Sequence, residues 1–391
     1  MVVGLILEAN PYHHGHKYLI SQAKSLFKDS PLIAITSTSY TMRGEISLID
    51  KFDKTKILLD EGIDIVFELP ISFTLQSADY FCYNTVHTLY KAGVTDIVVG
   101  CEDDNFDNLI TYYNIINSDE FINLFKQNQK QKLSYKSTYE KTLSDLNISP
   151  NLIELFNKPN MTLAFQYYRV IKDNNYKINL HLIKRTTDYY QKNETIEKVA
   201  SASYIRELYL NQQKFNHFLP YKPNFIDITA FEKNLITIIN FQMISYNDNK
   251  NTQNINGNTE GILNYIYQNG TFDDTYTTLI NSLKNKRYSE NRIRRTILSY
   301  ILNIPKGLEK NNNYLRILGI SNKGTNYLSS ISKQTKQFIF ANPNELKKND
   351  NHFIQTIFSY ELLSTKLYGL LTNNNNLYLK EYQLPLKKEG K

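Results

Sequence analysis

The sequence predicts an α/β fold, a parallel sheet covered by helices in the first part of the chain and a mostly α-helical second part. Three observations predict it. Short apolar runs recur at Val2–Leu7, Leu32–Thr36, Ile63–Leu69, Ile97–Gly100 and Ile178–Ile183. Between the first four lie stretches with apolar residues at helical spacing: Lys17–Phe27, Lys51–Asp60 and Ser77–Lys91. Continuous rather than alternating apolar runs belong to strands buried on both faces, so the sheet is expected to be parallel. After Pro220 that alternation stops, and Phe231–Ser245, Glu260–Gln268, Phe272–Asn285, Glu290–Leu302 and Phe353–Leu371 read as helices.

The first run leads into Glu8-Ala-Asn-Pro-Tyr-His-His-Gly-His16, read as a loop end carrying His13 and His16 around Gly15. A strand that hands the chain to a helix through such a turn makes an anion site, because the first backbone N–H groups of a helix are unpaired and its dipole favours negative charge. Pro11 stiffens the loop and Gly15 permits close backbone approach. A structural zinc site would need further ligands, so a phosphate contact is expected and no metal ligands. At the end of the second run, Tyr40-Thr-Met-Arg-Gly-Glu45 offers Arg43 to an anion or to a surface pair with Glu45. Gly100 closes the fourth run, where a ligand could pass over the sheet edge.

From about 105 to 159 polar helices interrupt the pattern as a helical insertion. Ser201 and Ser203 can cap a helix that carries Arg206, a second phosphate cradle. The boundary between the two parts is placed at 220, giving 1–220 and 221–391. In the second part Lys284, Lys286, Arg287, Arg292, Arg294 and Arg295 surround Tyr288 against a single acid, Glu290. A basic helix with an interleaved aromatic suits a nucleic-acid backbone, and a solvated charged face is the plain alternative.

Bulk numbers agree with an ordinary folded chain. Apolar residues make up 41% and charged residues 21% of the 391, with a net charge of +7. The two cysteines, Cys82 and Cys101, have no paired spacing, which excludes a disulfide framework and suits a reducing compartment. No signal peptide or long apolar run is evident, so a cytoplasmic location is expected.

These motifs together resemble a known family. Gly4-Leu-Ile-Leu-Glu-Ala-Asn-Pro-Tyr-His-His-Gly-His16 resembles the H-x-G-H signature of nucleotidyltransferases, and in its longer form that of bacterial tRNA(Met) cytidine acetate ligases. The likeness continues in order through Arg43-Gly-Glu45, Ile65-Val-Phe-Glu-Leu-Pro70, Gly100, Lys158-Pro-Asn160, Lys184-Arg185, Ala200–Arg206, Lys284–Tyr288 with Arg292, and Leu315–Gly324. It implies a Rossmann-like nucleotidyltransferase domain followed by a helical domain that binds tRNA.

The implied activity is an ATP-dependent ligase. Acetate and ATP give acetyl-adenylate and pyrophosphate, and the acetyl group passes to N4 of the wobble cytidine of elongator tRNA(Met). Mg²⁺ is expected with the ATP. His13 and His16 are the implied catalytic residues. Leu7, Glu8, Asn10, Gly15, Lys17, Gly100, Asn160, Arg185, Ser201 and Arg206 are expected with them around the nucleotide. Lys284, Lys286, Arg287, Arg292 and Arg295 are expected on the tRNA. Three places depart from the family pattern: Ala9, Thr38-Ser39 and Thr186–Tyr190. They are expected at the rim of the site. An adenylyltransferase for a small metabolite, or a tRNA-binding protein with a degenerate site, are the alternatives.

Overall fold

The five apolar runs become strands β1 (Val3–Ile6), β2 (Leu32–Ser37), β3 (Ile65–Leu69), β4 (Asp96–Cys101) and β5 (Asn179–Lys184). The computed structural model describes residues 1–131, 133, 135–185, 199–245, 250–270, 275–311 and 313–388. β1 to β5 pair in parallel in the order β5-β4-β1-β2-β3. Side chains alternate across the sheet, as a strand requires. Val3, Leu5 and Leu7 pack on one face with Ile20 and Ala23 of α1 (His14–Leu26) and Leu58 and Leu59 of α2 (Lys51–Asp60). Ile33, Ile65, Ile97 and Val99 pack on the other with Phe81, Cys82 and Val86 of the helix Ala78–Lys91 and Ala164 and Phe165 of the helix Pro159–Asp173. The insertion is helical as expected, with Phe106–Ile116, Asp119–Gln129, Tyr135–Asp145 and Pro150–Asn157 lying between β4 and the Pro159 helix.

The helices Ile228–Ile244, Ile262–Asn269, Tyr276–Leu283 and Glu290–Ile301 build a second core around Leu235, Ile239, Leu263, Leu279, Ile293 and Ile297. Tyr40, Ile71 and Leu75 from the first half close it. After 220 the described residues are mostly helical, as expected, with three short strands among the helices. The chain returns to the sheet at β6 (Leu315–Ser321), which pairs antiparallel with β3, and β7 (Ile339–Phe340) and β8 (Leu386–Lys388) pair with β6. The helix His352–Leu371 then spans both cores, with Ile357 and Phe358 in one and Leu367 and Leu371 in the other.

A buried ionic cluster fastens this return. Lys51 Nζ lies 2.7 Å from Glu68 Oε2 of β3, 2.9 Å from Glu361 Oε1 and 2.6 Å from Glu381 Oε1. Arg316 of β6 pairs with Glu68 and Glu381, and Tyr314 donates to Glu68. Two cations thus face three carboxylates. Burial, opposed by Lys51 and reinforced by Glu68 and Glu381, pushes Glu361 up to about 7.

Candidate active site

Beyond β1 the chain crosses Glu8 and Ala9 and enters α1. The histidines do not sit on a loop end. His13 is the N-cap of α1 and His16 its third residue, so both belong to the helix start. His13 Nδ1 accepts from the Gly15 N–H at 3.0 Å, and His16 Nδ1 accepts from the His13 N–H at 3.3 Å. This is a capping box made of two imidazoles in place of the usual hydroxyl and carboxylate. It fixes their tautomer. A ring nitrogen that accepts carries no proton, so each neutral ring presents Nε2–H as a donor. Burial, followed by His16 and Arg185, holds His13 well below its ordinary 6.5. Burial, followed by Arg185 and Lys54, holds His16 at about 3. Both rings are therefore neutral donors at physiological pH.

They border a cavity of about 220 Å³ at the carboxyl ends of β1, β4 and β5, where ligands sit in open α/β sheets. Leu7, Glu8, Asn10, Gly15 and Gly100 line it with the histidines, and so do Asn160, Arg185, Ser201 and Arg206. Of the expected nucleotide residues only Lys17 is elsewhere. Its side chain is exposed and its Nζ lies 3.5 Å from Glu61, because Lys17, the fourth residue of α1, points outward from the helix. Four cationic side chains line the cavity, Arg43, Lys184, Arg185 and Arg206, against the carboxylates Glu8 and Glu45.

Each wall residue is held by a specific contact. Asn10 is buried, giving Nδ2–H to the Ile46 carbonyl and accepting from the Leu48 N–H, so it ties the loop after β1 to the loop after β2. Ser201 caps the helix Ala202–Leu210 by accepting from the Tyr204 N–H. Arg206 reaches back to the Asn10 carbonyl at 2.7 Å and to Glu45 at 2.8 Å. Glu45 is thus held by Arg206, and also by Arg294 from the second half of the chain. Asn160 accepts from Arg185 at 3.2 Å and donates to Glu102 at 2.8 Å. Glu102 also accepts from the Asn160 and Met161 N–H groups, capping the Pro159 helix. Sequence reasoning missed Glu102, since Glu102-Asp-Asp104 reads as a solvated acidic turn. At Gly100 an added Cβ would meet only Arg185 Cγ at 3.7 Å and Leu19 Cδ1 at 3.9 Å, so the protein's own packing does not demand glycine there.

The departures from the family pattern fall differently from the expectation. Thr38 and Ser39 are buried and do not line the cavity. Ala9 does line it, in a left-handed backbone conformation at φ 47°. Thr186–Tyr190 lies outside the described residues.

The basic segment divides in two. Lys284, Lys286 and Arg287 are exposed. Arg292 is bound to Glu260 at 2.8 Å and to Thr259, and Tyr288 is buried with its hydroxyl on the Glu260 carbonyl, so it is no stacking platform. Arg295 donates to the Met42 carbonyl, and burial, with Arg292 nearby, lowers it to about 10. Arg294 bridges Glu290 and Glu45. Gly44, at φ 73°, lets its loop close on this helix, for a Cβ there would stand 2.8 Å from Arg294 Cβ. Arg294 and Arg295 dock the helix Glu290–Ile301 onto the cavity loop, and Arg292 ties it to Thr259 and Glu260, so all three are engaged within the protein.

Comparison with known proteins agrees with this geometry. The family model for HIGH nucleotidyl transferases matches residues 1–383. A tRNA(Met) cytidine acetate ligase from Fusobacterium nucleatum is 32% identical over 395 residues, covering 96% of this chain and 97% of the relative. One from Thermosipho melanesiensis is 31% identical, covering 88% and 84%. The crystal structure of Thermotoga maritima TmcAL superimposes with a TM-score of 0.85 at 25% identity, covering 99% of this chain and 100% of that one. The same protein bound with alpha-thio ATP gives a TM-score of 0.82 at 24% identity, which speaks to the fold. The chain belongs to the HIGH nucleotidyltransferase family and, within it, to the tRNA(Met) cytidine acetate ligases.

Proposed function

We propose that this protein is an ATP-dependent ligase that joins acetate to N4 of the wobble cytidine of elongator tRNA(Met) through acetyl-adenylate. The observation that carries the reading is the pair of neutral Nε2–H donors at a helix start, lining one cavity with Arg185 and Arg206. An acetate oxygen attacks the α-phosphorus of ATP and pyrophosphate leaves. Negative charge grows on the non-bridging oxygens and the leaving group, where His13, His16 and the guanidinium groups stabilise it without any protein nucleophile. Gly100 leaves room for the nucleotide to cross the sheet edge, and Asn160 orients Arg185.

ATP enters as its magnesium complex. Among the described residues no group of three or more His, Cys, Asp or Glu side chains could hold a metal ion, and Mg²⁺ would be held largely by the phosphate oxygens of ATP. The acceptor is a polyanion. Exposed Lys284, Lys286 and Arg287 receive its backbone, while Arg294 and Arg295 attach the same segment to the loop that borders the cavity. No helix among the described residues is long and apolar enough to cross a membrane, and the cytoplasm, where tRNA is modified, is the proposed location.

Incubation with ATP, labelled acetate and elongator tRNA(Met) tests the reading. Label in the tRNA, released as N4-acetylcytidine on digestion, is expected. Pyrophosphate release that depends on a small metabolite and not on tRNA would instead indicate the metabolite adenylyltransferase. Binding of tRNA with no affinity for ATP would indicate a degenerate site.

A further inference from the structure

Glu8 is out of place in a site for phosphates. Its carboxylate lines the cavity, where it repels the polyanion that the surrounding cations attract. The other lining carboxylate, Glu45, is engaged by Arg206 and Arg294. Glu8 Oε1 accepts from the Met42 N–H at 2.7 Å, and Oε2 has no hydrogen-bond partner among the described residues. Its position is fixed further by Lys54 Nζ, which donates to the Glu8 carbonyl and to the Ser37 carbonyl, both at 2.9 Å.

The strand places Glu8 on a particular side. Leu5 and Leu7 pack toward α1, whereas Ile6 packs on the opposite core, so alternation carries Glu8 to the face away from the histidines. The cavity wall on that face is apolar, made by Phe81, Val99, Leu163, Ala164 and Tyr167. Glu8 lies close enough to Cys82 and Tyr167 for its charge to raise both groups. The cavity therefore has two halves: a cationic half at α1 for the phosphates, and an apolar half with one carboxylate.

We infer that Glu8 is the general base of acyl transfer, accepting at Oε2 a proton from the attacking amine of the acceptor nucleobase. The inference rests on the ligase reading above. The exocyclic amine of cytosine is conjugated with its ring and nucleophilic only as it loses a proton. A carboxylate is also the side chain that recognises that amine as a donor. In the step, the N4–acyl carbon bond forms and the acyl carbon–oxygen bond to the adenylate phosphate breaks. The electron pair leaves with AMP, and the N4 proton goes to Glu8 Oε2. Burial raises the proton affinity of Glu8, opposed by the Met42 N–H, Lys54 and Arg43 and reinforced by Glu45; Cys82 and Tyr167, neutral, face it from the helices behind. That balance suits a base which must hold a proton after the step.

The test separates the two half-reactions. E8Q preserves an acceptor for the Met42 N–H but cannot take a proton. Exchange of pyrophosphate into ATP is expected to fall as well, since Glu8 lines the cavity, but single-turnover transfer from acetyl-adenylate to tRNA is expected to fall about 10²–10⁴-fold further, the usual worth of a general base. Wild-type transfer should lose rate toward acid pH, and E8Q should lack that limb. E8D, which keeps a drawn-back carboxylate, should transfer faster than E8Q; if E8Q does not fold, E8D is expected to slow transfer more than exchange. Equal loss of both half-reactions, or loss of neither, overturns the assignment. Absence of exchange in the wild type overturns the ligase reading, and this assignment with it.

Discussion

The imidazole capping box makes His16 do two jobs through two atoms, and they can be separated. Nδ1 accepts the His13 N–H at 3.3 Å and so supports the start of α1; Nε2–H faces the cavity. An asparagine side chain ends near the position of Nδ1, a glutamine near that of Nε2. H16N therefore keeps an acceptor for the cap and loses the donor. H16Q keeps a donor and loses the cap. Loss of a cap costs about 0.5–2 kcal/mol, and the long bond here places H16Q in the lower half of that range. Loss of a donor to developing charge costs about 10²–10³ in kcat, or about 2.7–4 kcal/mol of transition-state stabilisation. Acetate-dependent pyrophosphate exchange reads the second effect and urea unfolding the first. H16N should be stable and slow, H16Q less stable and faster than H16N, and H16A poor in both. An H16N enzyme as fast as wild type, or an H16Q enzyme as slow as H16A, refutes the division of the ring into cap and donor.

Other consequences follow from the same structure. Because His16 is held at about 3 in the fold, the unfolded chain takes up a proton near 6.5 that the folded chain refuses. Stability is full above 6.5 and falls as pH drops, by about 2 kcal/mol from His16 alone at pH 5; urea midpoints should show this slope, and H16N should flatten it. G100A should leave stability unchanged or raised by about 0.5–1 kcal/mol, yet weaken ATP binding about tenfold or more, measured by calorimetry, because the new methyl occupies ligand space. Joint reversal of Lys284, Lys286 and Arg287 to Glu should weaken tRNA binding and make its salt dependence shallower by about 2–3, with exchange in the absence of tRNA retained. K51M should destabilise the protein by about 3–5 kcal/mol, since it strands buried carboxylates, whereas E361Q, which removes the surplus negative charge, should cost much less.

The parts of this fold legible in the sequence are those where one physical signal acts alone. Apolar-rich runs located β1 to β5, and Ser201 signalled a helix start that the structure confirms by its bond to the Tyr204 N–H. β6 was passed over although its run, with Arg316 and Gly319 in it, is no more broken than those of β3 and β5. Arg316 is tolerated in a buried strand only through Glu68 and Glu381, partners distant in the chain. The contacts within the basic segment were not legible for a related reason. Charge pattern says nothing about which arginines find acids, and Glu45 and Glu260 claim Arg294 and Arg292 from loops far away in sequence. Lys17 followed the histidines along the chain but not in space, since a helix turns its successive residues about 100° apart. Most of the cavity wall was legible through family motifs. The tautomer of the histidines was not, because it depends on backbone N–H directions that only the folded helix start defines.

The central claim is that two neutral imidazoles hold the phosphates of ATP through Nε2–H in a cavity that Arg185 and Arg206 also line. A crystal structure with a non-hydrolysable ATP analogue tests it most directly. The account predicts phosphate oxygens about 2.7–3.2 Å from Nε2 of both His13 and His16, with the Nδ1 bonds to Gly15 and His13 unchanged and the ring of the base beyond Gly100. Phosphates bound away from α1, or imidazoles turned so that Nδ1 meets the ligand, would contradict it.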